Sequence, residues 1–163
     1  MPLEQEPPTS GARLIASWLV TWFRVGYLPK APGTFGSIAA LPFAWALVWL
    51  GGPWLLLVAA AVTFVVGCWA VQVQMAEGDD HDPGFIVIDE VAGQWLTLLA
   101  APLTPLAYVL GLIAFRCFDI LKPWPIGWLD RHFQNAFGVM IDDVAAAIYA
   151  GVLLYGVVWL VCL

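Results

Sequence analysis

Residues 34–76 read TFGSIAALPFAWALVWL (34–50), GGP (51–53) and WLLLVAAAVTFVVGCWAVQVQMA (54–76), without one acidic or basic side chain. At about 1.5 Å of rise per residue, runs of this length approach or exceed the roughly 30 Å of a bilayer's hydrocarbon core. Two apolar helices are therefore expected over 34–50 and 54–76. Gly51, Gly52 and Pro53 form the tight turn between them, because neither glycine nor proline favours a helix interior.

The rest of the chain has the same character. Of 163 residues, 62% are hydrophobic and 11% charged, and the mean hydropathy is +0.86. Soluble domains are closer to half apolar and a quarter charged, so the composition excludes an ordinary soluble fold, a disordered chain, a collagen-like repeat and a cytosolic Rossmann enzyme. A net charge of -6 and only six basic residues also exclude a nucleic-acid binder, which needs a basic surface. Cys68, Cys117 and Cys162 are odd in number and widely spaced in apolar sequence, so they make neither a disulfide framework nor a metal site.

Outward from the hairpin, residues 1–11 are a polar, proline-bearing tail, and 12–163 form a single membrane-embedded helical domain. The segment LIASWLVTWFRVGYL (14–28) is aromatic and apolar but short, and it carries Arg24, which predicts an interfacial helix rather than a span. Beyond the hairpin, EGDDHDPG (77–84) is an acidic loop and 85–101 a third apolar helix. A second turn covers 102–105, a fourth helix ends near Leu121, a polar loop occupies 122–136, and a last helix fills 137–163. The expected fold is all-α: a polytopic membrane helical bundle of about five apolar helices plus an N-terminal interfacial helix. Self-association into a homo-oligomer is left open.

On this up-and-down topology the turns at 51–53 and 102–105 carry no charge, and all 18 charged residues fall at the opposite side. The six Lys and Arg are among them, which makes that side cytoplasmic by the positive-inside rule. Several charges lie within helices: Asp89 and Glu90 open the third, Arg116 and Asp119 close the fourth, and Asp142 and Asp143 open the fifth. Acids at helix N-termini and bases at C-termini complement the helix dipole. Dipole complementation does not, however, require adjacent acids on two helices, and ionisable groups at membrane depth are costly enough to mark function.

Arg116, Asp119 and Lys122 share one helix face at spacings of three. Carboxylates gathered from three helix ends cannot stand together unpaired, and Mg²⁺, a hard cation that takes oxygen ligands, resolves the repulsion economically. Arg116, Lys122 and Arg131 remain for an anionic group. The string PGTFGS (32–37) offers backbone N–H groups and the Thr34 and Ser37 hydroxyls at a helix start, an anion site or an ordinary Thr34 cap. His81 and His132 are isolated from each other and from cysteine, which disfavours zinc. The tryptophans read as interfacial anchors.

Four strings in order, APGTFGS (31–37), DPGFIVIDEVAG (82–93), FRCFDILKPWPI (115–126) and GVMIDD (138–143), resemble the successive signature blocks of the phosphatidylglycerophosphatase A family. The resemblance implies a small multi-pass enzyme of the bacterial cytoplasmic (inner) membrane, with its active site at the cytoplasmic face. It implies Mg²⁺-dependent hydrolysis of phosphatidylglycerophosphate to phosphatidylglycerol and phosphate, in phospholipid biosynthesis. A lipid phosphate monoester would place its head group where this chain gathers its charge, with its acyl chains left in the bilayer.

The signatures of covalent phosphatases are missing: no Cys precedes an Arg by six positions, and neither an Asp-x-Asp pair followed by Thr or Val nor paired histidines occur. Metal-assisted attack by water remains. Asp89, Glu90, Asp119, Asp142 and Asp143 form the pool of Mg²⁺ ligands. Asp89, Glu90, Asp119 and Asp143 are the catalytic candidates, and the sequence does not say which is the base. Arg116 and Lys122 are expected to bind the phosphate, with Thr34, Ser37, Asp130 and Arg131 as further contacts. An ion- or proton-coupled transporter would also place carboxylates in helices, but it normally carries polar groups through the full membrane depth.

Overall fold

The computed structural model describes residues 10–76 and 84–161, which form helices and turns with no strand among them. The helices are α1 (Ser10–Val20), α2 (Pro32–Met75), α3 (Ile88–Leu98), α4 (Pro105–Leu121), α5 (Ile126–His132) and α6 (Ala136–Val161), with a single 3₁₀ turn at Val25–Tyr27. Residues 1–9, 77–83 and 162–163 lie outside the description, and with them most of the acidic loop, His81, Cys162 and the greater part of the expected tail.

Helix α2 holds both limbs of the expected hairpin. Gly52, at φ 70° and ψ −171°, breaks it where the sequence places the turn. That conformation is open essentially to glycine alone. Ala40 and Ala44 before the break share a core cluster with Leu56 and Ala60 after it. Each limb is thus about 30–35 Å long, where an unbroken helix would run about 66 Å, twice the hydrocarbon thickness.

Among the described residues, α2 and α6 are the helices long and apolar enough to cross a membrane. The third and fourth apolar segments form shorter helices of 11 and 17 residues. The outer surface agrees with a lipid setting: Trp49, Leu50, Trp54, Val65, Ile113, Val152 and Leu160 all face outward. Contiguous apolar surface of this kind marks a membrane or partner contact.

Helix α3 is the hub, packed against α2 and α6 and also touching α4. Val91, Trp95 and Leu98 enter the cluster around Ala40 and Leu56, and the Trp95 indole N–H donates to the Ala40 carbonyl at 2.9 Å. On the other flank Ile88 and Ala92 join Met140 of α6. Cα-level approach is closest where glycine allows it, as at Gly93, where an added Cβ would stand 2.6 Å from the Phe115 ring.

Two sequence expectations are corrected here. The segment 14–28 is helical only to Val20; Trp22, Phe23 and Arg24 then take left-handed backbone conformations before the 3₁₀ turn. Val20 accepts a hydrogen bond from the Val87 N–H at 2.8 Å, so this stretch straps onto the chain just before α3. The loop expected over 122–136 contains α5, whose Ile126 is fully buried beside Phe115 and Ala146, while Trp128 and His132 stack one turn apart. Burial of one apolar anchor and side-chain stacking hold a helix too short to persist alone.

Candidate active site

Four helix ends meet at one level. The N-termini of α2, α3 and α6 and the C-terminus of α4 enclose a cavity of about 210 Å³. Ala31, Pro32 and Gly33 form one wall, Gly84, Ile86 and Val139 supply the uncharged remainder, and Asp89, Glu90, Arg116, Asp119, Lys122, Asp142 and Asp143 bring the charge. Each end is fixed locally. Pro32 opens α2 at a position where its missing N–H costs nothing. Asn135 Oδ1 accepts from the Gly138 N–H at 2.9 Å at the start of α6. Lys122 ends α4 in the left-handed conformation, which swings its side chain back across the helix end.

The cations are committed to partners. Arg116 Nη1 lies 2.5 Å from Asp119 Oδ2, one turn along the same face, and 3.3 Å from Glu90 Oε1 on α3. Lys122 Nζ bridges Asp130 of α5 at 2.6 Å and Asp142 of α6 at 2.7 Å. Partial burial disfavours the Lys122 ammonium, but its hydrogen bonds to Asp130 and Asp142 outweigh that and raise its pKa above the ordinary lysine value. It is a fixed positive charge at any physiological pH.

The carboxylates outnumber those cations. Five acids face two bases in the cavity lining, an excess of negative charge whatever the pairing, and Asp89, Glu90 and Asp143 draw together within it. One oxygen from each of these three lies within 4.8 Å of the others. Glu90 Oε2 and Asp143 Oδ2 are buried without a hydrogen-bond partner among the described residues. Buried carboxylate oxygens left in this state are strongly unfavourable. The arrangement has the capacity to hold a hard divalent cation, and the N-termini of α2, α3 and α6 add positive dipole ends suited to an anion.

Of the residues singled out from sequence, the cavity unites Asp89, Glu90, Arg116, Asp119, Lys122, Asp142 and Asp143. Thr34, Ser37 and Arg131 lie outside its lining. The Ser37 hydroxyl is buried and donates to the Gly33 carbonyl at 3.0 Å, while Arg131 is exposed on α5. Asp130 reaches the site only through Lys122. Sequence reasoning missed the contact role of Gly33: a Cβ there would overlap Glu90 Oε1 and stand 3.2 Å from Arg116 Nη1. Its signal lies in the PGT string at the start of α2, which from sequence alone suggests only an anion-binding backbone or a Thr34 cap.

A charged cavity of stacked helix ends inside an apolar helical shell is the architecture of a membrane-associated enzyme with a polar substrate group. Comparison with known proteins makes this particular. The family model for phosphatidylglycerophosphatase A matches residues 18–158, and the chain belongs to that family. It is therefore a phosphoric monoester hydrolase.

Among its relatives, Haemophilus influenzae phosphatidylglycerophosphatase A is 41% identical over 140 residues, covering 85% of this chain and 86% of that one. The Escherichia coli K12 phosphatidylglycerophosphatase A is 35% identical over 159 residues, covering 95% and 91%. A Bacteroides thetaiotaomicron protein provisionally named a phosphatidylinositol-3-phosphatase is 34% identical over 154 residues, covering 86% and 92%. No solved structure matches the chain.

Proposed function

We propose that this enzyme hydrolyses phosphatidylglycerophosphate to phosphatidylglycerol and inorganic phosphate with Mg²⁺, as a step of phospholipid synthesis. We place it as a multi-pass protein of the bacterial cytoplasmic membrane with the cavity at the cytoplasmic face. The names of its relatives support the substrate. The observation that carries the metal requirement is the convergence of the Asp89, Glu90 and Asp143 carboxylates, with Glu90 Oε2 and Asp143 Oδ2 buried and lacking a hydrogen-bond partner among the described residues. A phosphate monoester is itself dianionic near neutral pH, and it would be repelled from a cavity whose two cations are already paired.

The donor set fits the cation. All three groups offer hard oxygen ligands, and their 4.8 Å spread is close to the roughly 4.2 Å that spans an octahedral Mg²⁺ site. Asp89, Glu90 and Asp143 would hold the ion, with Asp119 and Asp142 beside it. When bound, Mg²⁺ neutralises phosphoryl charge and acidifies a water molecule.

The chain's own groups supply the rest. Arg116 and Lys122, each held by two carboxylates, present guanidinium and ammonium N–H groups in fixed positions to the phosphoryl oxygens. Water attacks phosphorus, the bond from phosphorus to the glycerol oxygen breaks, and a cavity carboxylate takes a proton from the attacking water and returns one to the leaving glycerol oxygen, which departs as the free alcohol. The apolar flanks of α2 and α6 leave the acyl chains in lipid.

Purified protein assayed on a short-chain phosphatidylglycerophosphate tests this reading. Chelation with EDTA is expected to stop phosphate release and added Mg²⁺ to restore it. Asp89→Asn and Asp143→Asn should each lose about 10²–10³-fold in kcat. Folded Asn variants that keep near-wild-type release with Mg²⁺ present would sink the assignment, and release insensitive to EDTA would remove the metal from it.

A further inference from the structure

The turn of α3 that follows Glu90 carries Gln94, which no step above uses. Gln94 is fully buried, and neither its Oε1 nor its Nε2 has a hydrogen-bond partner among the described residues. Burying an amide unpaired is unfavourable, and methionine would fill nearly the same volume without that penalty. Packing alone therefore does not account for a glutamine here.

Its surroundings do. Gln94 follows Glu90 by four positions and so shares its helix face. A helical side chain leans toward the N-terminus of its own helix, over the preceding turn, which carries the Gln94 amide toward the Glu90 carboxylate. Glu90 spends Oε1 on Arg116 Nη1 at 3.3 Å, while its Oε2 is buried and unpaired, and Arg116 Nε is buried and unpaired as well. Gly93 packs on Phe115, the sequence neighbours of Gln94 and Arg116, which sets these two residues at one level of the α3–α4 contact. One donor and one acceptor on the amide thus match one orphaned acceptor and one orphaned donor on the ion pair.

We infer that Gln94 is a positioning residue for Glu90. As placed, the amide makes no hydrogen bond among the described residues, but a rotation of it would let Nε2–H donate to Glu90 Oε2 and Oε1 accept from Arg116 Nε, so that the carboxylate and the guanidinium would keep their orientation toward the cation and the phosphate. The inference rests on the proposed role of Glu90 as a metal ligand.

Gln94→Met, which keeps length and volume but cannot hydrogen-bond, tests it beside Glu90→Gln. Two quantities are read: kcat and KM on the short-chain lipid phosphate, and the Mn²⁺ dissociation constant by electron paramagnetic resonance without substrate. Gln94→Met is expected to melt at or above the wild-type temperature. Its kcat should fall about 10–100-fold and its Mn²⁺ affinity about tenfold, with KM within twofold.

Unchanged kcat and unchanged Mn²⁺ affinity in folded Gln94→Met, with both lost in Glu90→Gln, overturn the inference and leave the site standing. Retention of both in Glu90→Gln overturns the site reading itself. Should Gln94→Met not fold, Gln94→Asn serves in its place: it keeps an amide but withdraws it by one carbon, and the same loss of Mn²⁺ affinity is expected. Wild-type affinity in Gln94→Asn counts against the inference.

Discussion

Gly33→Ala separates catalytic geometry from stability more cleanly than any change to a charged residue. Gly33 is buried in the first turn of α2, and its missing side chain is where the Glu90 carboxylate sits. An alanine Cβ would overlap Glu90 Oε1 and lie 2.8 Å from its Cδ. Ordinary contact needs about 3.5 Å, so Cδ must retreat by about 0.7 Å and Oε1 by more than about 1 Å. The Arg116–Glu90 contact, already 3.3 Å, then opens toward or beyond 4 Å.

A misplacement of about 1 Å in a catalytic group costs on the order of 10²-fold in rate, or about 2.7 kcal/mol of activation free energy. Stability should barely move, because alanine is about 0.5–1 kcal/mol better than glycine in a helix and offsets the crowding. Phosphate release from the lipid in mixed micelles and the melting temperature in the same detergent are the two readouts, with Gly156→Ala as control, since a Cβ there meets nothing within 4 Å. Wild-type kcat in a folded Gly33→Ala protein would refute the placement of Glu90 at the reaction centre.

Two further outcomes follow from the geometry. Lys122→Met strips Asp142, which is buried, of its cation, and should destabilise the protein by about 2–3 kcal/mol by denaturation in detergent. That is less than the roughly 3–5 kcal/mol of a fully buried pair, because Lys122 keeps some contact with solvent. Gly52→Ala forces a side chain into φ 70° and ψ −171° and should cost about 1–3 kcal/mol while leaving the KM of folded protein unchanged; a stability equal to wild type would show that the break in α2 is not strained.

The all-helical class and the turn at Gly52 were legible because they depend on local properties: apolar length, absence of charge, and residues that will not continue a helix. Helix α5 was not. Its seven residues have no strong period, and Ile126 anchors them only because Phe115 and Ala146 arrive from elsewhere. The acidic residues were legible as a site because charge is rare in this chain and its cost in an apolar setting is large. Ser37 and Thr34 were legible only as hydroxyls near a helix start, and whether a hydroxyl faces a cavity or its own helix is not a local property.

By itself, then, the amino-acid sequence determined the apolar character of the chain, the helical class and the set of charged groups from which a site had to be built. Tertiary structure decided their pairing. Arg116 is drawn to Asp119 and Glu90, Lys122 to Asp130 and Asp142, and the Asp89, Glu90 and Asp143 carboxylates are brought within 4.8 Å of one another. The reason is one of range. Hydropathy and helix breaking act over one or two turns, but a hydrogen bond or an ion pair acts over about 3 Å, and residues 33, 90, 116 and 142 reach that distance only through the packing of four helices.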